Sequence, residues 1–166
     1  MPPETDNLQL EEIYGNDQSD RQKVYDSPQS VNELKQRDAM RKAMTLDMMS
    51  RGEVNTVLDL YRAAVILLHG SDPKDYLTAH RLAVLSAVNG HRPARWLAAS
   101  SLDRYLMSIG QPQVYGTQFE HNPDDNKYQL RLPIDDASLL GWEKKFFSVP
   151  SVSERLKQLN SRIQNK

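Results

Sequence analysis

The fold is decided by residues 54–110, which read VNTVLDLYRAAVILLHG, SDPKDYLTAHRLAVLSAVNG and HRPARWLAASSLDRYLMSIG. Each of these three apolar stretches ends at a glycine, Gly70, Gly90 or Gly110, and Gly52 stands shortly before the first stretch. Glycine is favoured directly after the end of a helix. The pattern therefore predicts three helices of about 17 residues, and the short turns between them require neighbouring helices to lie antiparallel.

Start signals support this division into helices. Asp72 is a suitable N-cap for the second helix, and Pro73 suits its first position because no helical hydrogen bond is lost there. Pro93 begins the third helix, which is apolar on two sides and is therefore expected to be central. The helix pairs recur at a spacing close to that of tetratricopeptide-type repeats, so repeat-like packing and an ordinary bundle both remain open.

The chain before this stretch is less apolar and also reads as helical. Residues 8–22 carry an apolar stripe opposite a polar face, which is typical of a surface helix. A second, long helix is expected to begin at Ser27-Pro28 or at Ser30, where the spacing to a later glutamate resembles a capping box. We expect this helix to end near Arg51.

The pattern changes after the third central helix. Apolar residues alternate on both sides of residues 122–126, which read NPDDN and favour a turn. This alternation predicts a β-hairpin. Asp135 and Asp136 are then expected to open a short helix, and Ser151 is expected to cap a last one.

Together these patterns predict one mainly α domain over residues 1–166. Its architecture is expected to be an antiparallel helical bundle with tetratricopeptide-like helix pairs plus one β-hairpin. The expected parts are a flexible start (1–7), a central three-helix core (54–110), a β-hairpin (112–134) and C-terminal helices (135–166).

Composition excludes several functional classes. The chain has no cysteine, which excludes disulfides, thiolate metal sites and cysteine nucleophiles. Its 21 Lys and Arg nearly balance 22 Asp and Glu without a long basic tract, so we expect neither nucleic acid nor a membrane surface as partner. The longest apolar run, residues 63–68, is far shorter than the roughly 20 residues of a membrane-spanning helix.

The beginning of the sequence bears on location. No basic start and no apolar h-region of a signal peptide is visible, so we expect a cytoplasmic protein. A mature secreted form whose signal has been removed would read the same way.

Four histidines raise the question of a metal site. His69 ends one predicted helix and His80 lies in the next, with an expected separation of about 9 Å across the turn. Two ligands of one metal ion lie much closer together, because each bond is near 2.1 Å. We therefore expect no metal site, and no motif indicates a cofactor.

The strongest catalytic candidates are His80 and Asp103. His80 interrupts an apolar stripe, so it is either a hydrogen-bonded core histidine or an acid/base in a pocket. Asp103 shares a helix face with Trp96 and Ala99, and a carboxylate buried there needs a cation or hydrogen-bond donors. The neighbouring Arg104 could pair with it or hold an anion.

Other polar groups are equally open to two interpretations. Asp17 and Arg21 lie four residues apart on one helix face, and Asp59 also stands on a predicted helix; each is either a solvated group or part of a site. Residues 110–119 combine glycines, a tyrosine, a threonine and amides at the entry to the hairpin. Such amides and hydroxyls either bind a ligand or close the end of a helix.

Several sequence blocks resemble those of a bacterial family of uncharacterised helical proteins, a domain of unknown function. The match spans roughly residues 10–135, and Leu68 stands where the family is expected to carry Gln. The blocks are Asp17-Gln18-x-x-Arg21, Gly52-Glu53-Val54 with Asp59, Ala63-Ala64 with His69-Gly70, Asp75-Tyr76-Leu77 with Ala79-His80 and Leu82-Ala83, Ala94-Arg95-Trp96-Leu97-Ala98-Ala99 with Asp103-Arg104-Tyr105-Leu106, and Gln113-x-Tyr115-Gly116-Thr117-Gln118.

The resemblance implies a fold and a set of polar residues rather than a reaction. The set comes from distant segments, which suggests one shared polar centre. Its expected ligand-binding members are Asp17, Gln18, Arg21, Asp59, His69, Arg104, Tyr115, Thr117 and Gln118.

Three functions are compatible with these observations. The first is a module that binds a small molecule or peptide at the polar centre. The second is an enzyme, such as a hydrolase, in which His80 acts as acid/base, Asp103 or Asp17 orients it, and Arg104 or Arg21 holds an anion. The third is an interaction scaffold whose polar network is structural. The oligomeric state is left open.

Overall fold

A computed structural model describes residues 5–164 of the chain. Within that range β1 and β2 pair antiparallel as a hairpin, so the prediction of a mainly α fold with one β-hairpin is confirmed. The elements, in chain order, are α1 (Leu8–Arg21), α2 (Pro28–Ser50), α3 (Val57–Leu68), α4 (Pro73–Val88), α5 (Pro93–Ser108), β1 (Phe119–Asn122), β2 (Lys127–Leu130), α6 (Glu143–Phe146) and α7 (Val152–Gln164).

Side-chain caps set where the helices begin. The Ser27 hydroxyl accepts a hydrogen bond from the Ser30 N–H at 3.1 Å, so α2 begins at the first of the two predicted sites. The Thr56 hydroxyl caps α3 in the same way, and α3 therefore begins three residues later than the apolar pattern alone suggests. Asp72 caps α4 as predicted, with Pro73 in the first helical position.

The core is centred on α3, in which residues 63–68 are all buried. α4 packs against both α3 and α5, while α1 and α2 also pack against α3. α5 is buried on two sides, as its apolar pattern predicts. Leu97 and Ala98 face the main core, whereas Ala99 packs in a second, smaller core with Tyr115 and Val149.

Two predicted elements are corrected. The hairpin strands occupy less than the expected residues 112–134, because the N–H groups of Val114, Tyr115 and Thr117 donate to the Asp103 side chain instead of a partner strand. The short helix expected at Asp135 and Asp136 is absent there. The Asp135 N–H donates instead to the Gln113 carbonyl at 2.8 Å, and α6 begins only at Glu143.

A flexible start is expected for residues 1–7, of which residues 1–4 lie outside the described part of the chain. Asp6 and Asn7 are hydrogen-bonded to the beginning of α3, through the Thr56 hydroxyl and the Asp59 carboxylate respectively. Over residues 5–164 no helix is long and apolar enough to cross a membrane.

The turn between α3 and α4 requires a glycine at position 70. A Cβ atom there would lie 2.8 Å from the Cβ of Asp75, closer than side chains can approach. The Gly70 carbonyl also accepts a hydrogen bond from the Tyr76 hydroxyl at 2.8 Å. The turn is therefore held at a spacing that only glycine fits.

We expect Gly70→Ala to lower the free energy of unfolding by about 1–3 kcal/mol, because α3 and α4 must separate slightly to admit the methyl group. Urea denaturation measures the change. Gly15→Ala is the matched control, since Gly15 lies at an exposed position of α1 and nothing lies within 4 Å of the added Cβ; this substitution should raise the free energy of unfolding by up to about 1 kcal/mol. Equal destabilisation by both substitutions would contradict the close turn.

Candidate functional site

Asp103 is a fully buried carboxylate on α5 that accepts four hydrogen bonds. Its Oδ1 accepts from the N–H groups of Val114 at 2.7 Å and Tyr115 at 2.9 Å. Its Oδ2 accepts from the N–H of Thr117 at 2.9 Å and from the Thr117 hydroxyl at 2.7 Å. The carboxylate therefore anchors residues 113–118, the segment named here the 113–118 loop.

These donors satisfy the requirement of a buried carboxylate without a cation. None of the ion pairs among the described residues includes Asp103. Because a carboxylate has about four acceptor positions, the four donors leave none for a histidine. Asp103 therefore holds the loop in place, and its expected catalytic role stays a prediction.

His80 is held elsewhere. Its Nδ1 hydrogen-bonds to the backbone carbonyl of Ala98 at 2.9 Å, which makes Nδ1 the protonated nitrogen. The predicted pair of His80 with Asp103 does not form. The hydrogen bond fits the alternative in which His80 is a satisfied histidine between α4 and α5.

A second buried side chain, Gln113, closes the 113–118 loop. Its Oε1 accepts from the Gln118 N–H at 2.9 Å, and its Nε2 donates to the carbonyls of Gln118 and Arg131. Gln113 is missing from the residues predicted for the site, although it opens the sequence block that contains three of them. No sequence pattern identifies a buried amide. The signal that could have found Gln113 is therefore its position in that sequence block.

Gly116 allows the loop to turn next to the C-terminal segment. Its φ of 75° lies in the left-handed region, and a Cβ would meet Ile134 at 3.2 Å and Val152 at 3.3 Å. Tyr115 points into the second core, where its ring lies edge-on to Phe147 at a centroid distance of 5.1 Å. Burial raises the pKa of Tyr115 to about 12. Tyr115 therefore packs in the second core, and its expected contact with a ligand stays a prediction.

The loop positions Gln118 against Arg104 of α5. The Gln118 Nε2 donates to the Ser100 carbonyl at 3.1 Å and to the Thr117 hydroxyl at 3.0 Å. Its Oε1 accepts from the Arg104 Nε at 3.3 Å. Arg104 Nη1 donates to the Leu68 carbonyl at the end of α3, at 2.8 Å.

Arg104 carries its charge without a carboxylate. None of the ion pairs formed by residues 5–164 includes Arg104 or Arg131. Burial lowers the pKa of Arg104, and the nearby charges of Arg131 and Arg21 lower it further. A guanidinium remains protonated under such a shift, so the local surplus of positive charge is real.

A cavity of about 430 Å³ opens beside this guanidinium. Its wall combines two arginines with hydroxyl and amide groups, and no acidic residue contributes to it. The Tyr76 ring lies 5.8 Å from the Arg104 guanidinium carbon. The cavity, named here the Arg104 cavity, is lined by Ser71, Tyr76, Arg104, Met107, Ser108, Gln118, Phe119 and Arg131.

A second polar cluster joins α1, α2 and the end of α3. Asp17 is almost fully buried. Its carboxylate accepts hydrogen bonds from Arg21 Nη2 at 3.0 Å and from Gln18 Nε2 at 2.9 Å, and it is hydrogen-bonded to His69 Nδ1 at 2.9 Å. Burial opposes ionisation of Asp17, but the hydrogen bonds of His69 and Arg21 outweigh it and hold the pKa of this carboxyl below its usual value. Asp17 is therefore charged at neutral pH.

The same cluster contains two more carboxylates. Asp20 accepts from Arg37 and Arg41, each at 2.8 Å, and the bond to Arg37 is the main cause that holds its pKa well below the usual range. Asp38 pairs with Arg21 and Arg41. Alternating charges of this kind join α1 to α2.

Asp59 lies apart from both clusters. It accepts from the Asn7 N–H at 2.9 Å and from the Thr56 N–H at 3.3 Å, at the beginning of α3. His69 follows the other end of this helix, about 15 Å away at 1.5 Å per residue. Asp59 is thus a capping residue, and its predicted place in a shared centre is corrected.

The structure therefore replaces one polar centre by two neighbouring clusters. One contains Asp17, Gln18, Arg21 and His69, and the other contains Asp103, Arg104, Thr117 and Gln118. They meet where Arg104 bonds to the last carbonyl of α3. Residues 5–164 contain no group of three or more His, Asp or Glu side chains that could hold a metal ion.

Comparisons with known proteins provide no information about function, so function is inferred from the geometry of the site. No family model, no curated protein and no solved structure matches the chain. The resemblance to a bacterial family therefore stays a prediction.

We expect Asp103→Asn to lower the free energy of unfolding by at least about 2 kcal/mol, because the amide nitrogen cannot accept from the loop N–H groups. Urea denaturation measures the loss, and amide hydrogen exchange should accelerate at Val114, Tyr115 and Thr117. The control is Asp136→Asn, whose side chain is 53% exposed and should change stability by less than about 0.5 kcal/mol. Unchanged exchange in the loop would show that Asp103 does not anchor it.

Proposed function

We propose that the protein binds a small anionic molecule in the Arg104 cavity. The observation that carries this proposal is the guanidinium of Arg104, which bonds only to neutral oxygens of Leu68 and Gln118 among the described residues. Arg104 is half-buried, and a charge that is partly removed from water is stabilised by a counter-charge. An anionic ligand in the cavity would supply it.

The donors of Arg104 also support an open binding position. Arginine carries five N–H donors, and the protein engages only Nε and Nη1 through the bonds to Gln118 and Leu68. No bond to Nη2 is formed within residues 5–164. A fixed guanidinium with free donors is well suited to bind a carboxylate or phosphate.

Arg131 extends the same chemistry. It reaches the cavity from the end of the hairpin, and Ser71 and Ser108 also border the cavity. Two cations favour an anionic ligand over an apolar one. The hydroxyls of Tyr76 and Ser108 already donate to the carbonyls of Gly70 and Tyr105, so their oxygens are left as acceptors for further polar groups of the ligand. The volume is within the usual range of small-molecule sites.

The two other functions are less well supported by these contacts. A hydrolase that uses His80 would need a nucleophile or substrate position beside it, and His80 is not among the residues that line the Arg104 cavity. A purely structural network accounts for Asp103 and Gln113, whose polar groups are satisfied inside the protein. It does not account for an arginine without a counter-charge.

The finer sequence predictions remain part of the proposal. Tetratricopeptide-like pairing is supported by the packing of α4 against both α3 and α5. A small-molecule partner in place of nucleic acid is supported by the net charge of −1. Bacterial origin, membership of the resembled family and a cytoplasmic location rest on the sequence alone.

We expect inorganic phosphate to bind the protein, and Arg104→Gln to weaken this binding by roughly tenfold to a hundredfold, as loss of a charge-assisted hydrogen bond does. Isothermal titration calorimetry at low ionic strength measures both affinities. Arg81→Gln is the matched control, because Arg81 is exposed on α4 and does not line the cavity. Failure of the wild-type protein to bind phosphate, or equal loss in both variants, would refute the proposal.

A further inference from the structure

His69 is the histidine best placed to contact a ligand. Its Nδ1 bonds to Asp17 at 2.9 Å, and Asp17 is 1% exposed and ionised. A carboxylate accepts hydrogen bonds only, so Nδ1 is the protonated nitrogen of the ring. In the neutral imidazole this leaves Nε2 with a free lone pair.

The free edge of the ring faces open space. The His69 side chain is 22% exposed; its Nδ1 is directed inward to Asp17, and its Nε2 is not sealed from solvent. No hydrogen bond to Nε2 is formed within the described part of the chain. A cavity of about 380 Å³, named here the His69 cavity, is lined by Lys35, Asp38, Ala39, Lys42, His69, Gly70 and Ser71.

The His69 cavity and the Arg104 cavity are neighbours. Ser71 lines both of them. Arg104 Nη1 donates at 2.8 Å to the carbonyl of Leu68, the residue bonded to His69. With standard bond lengths, that guanidinium nitrogen lies no more than about 5.4 Å from the His69 backbone nitrogen. Arg104 therefore contacts the backbone next to His69, and the two cavities meet at Ser71.

The charges around the His69 cavity also favour an anion. Asp38 is neutralised by Arg21 and Arg41. Lys42 pairs with Asp75, whereas Lys35 belongs to none of the ion pairs among residues 5–164. The surplus positive charge of the Arg104 cavity thus continues into its neighbour, with His69 between the two.

We propose that His69 and Arg104 are the two ends of one site, and that its ligand is a small organic anion that also carries a hydroxyl group. This inference rests on the proposed function, because Arg104 and Arg131 bind the anionic group. The hydroxyl donates a hydrogen bond to His69 Nε2. Asp17 acts as a positioning residue that fixes the tautomer and the orientation of the ring.

Two phosphate esters of similar size test whether a hydroxyl group of the ligand contributes to binding. Glycerol 3-phosphate carries two hydroxyl groups, and n-propyl phosphate carries none. We expect wild-type protein to bind glycerol 3-phosphate about fivefold more tightly, the usual effect of one neutral hydrogen bond. Isothermal titration calorimetry of both ligands measures the preference. Equal affinities in the wild-type protein would overturn the inference.

Variants assign the preference to a residue. His69→Phe removes the hydrogen-bond acceptor and should abolish the preference for glycerol 3-phosphate. Arg104→Gln should weaken the binding of both ligands. His121→Phe is the matched control, because His121 lies on the exposed hairpin and bonds to Asn126; it should keep the preference. A preference that survives in His69→Phe would also overturn the inference.

A measurement on the wild-type protein covers the case in which His69→Phe does not fold. Long-range ¹H–¹⁵N spectra should show His69 protonated at Nδ1, with an Nε2 signal that shifts on saturation with glycerol 3-phosphate but not with n-propyl phosphate. An unchanged Nε2 signal with both ligands bound overturns the role of His69 and leaves the Arg104 site intact. If neither glycerol 3-phosphate nor n-propyl phosphate binds, the proposed function is refuted as well.

Discussion

The buried carboxylate of Asp103 is the interaction on which the site depends. A charge inside the protein is tolerated only if donors surround it, and here the 113–118 loop provides them through Val114, Tyr115 and Thr117. The loop is consequently drawn onto α5. That position brings Gln118 to Arg104 and ends the strand pattern of the hairpin before Phe119.

The end of α3 is where this constraint meets the rest of the bundle. Arg104 donates to the Leu68 carbonyl, one of the carbonyls that a helix leaves unpaired at its end. His69, the next residue, bonds to Asp17 of α1. Three helices and the loop are thus joined through two consecutive residues, and polar groups left over from these bonds border two cavities.

Local rules made most of the fold predictable from the sequence, because capping residues and apolar spacing act within one helix. Ser27, Asp72 and Ser151 begin their helices as expected. The site was harder to predict because it depends on contacts between distant segments. The sequence marks Asp103 as a charge that needs donors, yet most of the donors are backbone N–H groups, which no residue type reveals. Likewise, no sequence pattern shows that Arg104 is partly buried beside a cavity without a carboxylate partner.

Anion binding at Arg104 is tested most directly by diffraction from crystals soaked in selenate, whose selenium atom scatters anomalously. We expect an anomalous difference peak between Arg104 and Arg131, with selenate oxygens about 2.7–3.0 Å from the guanidinium nitrogens. A cavity without such a peak, in crystals that bind selenate elsewhere, would contradict an anion site. So would an Arg104 guanidinium paired with a carboxylate of its own chain.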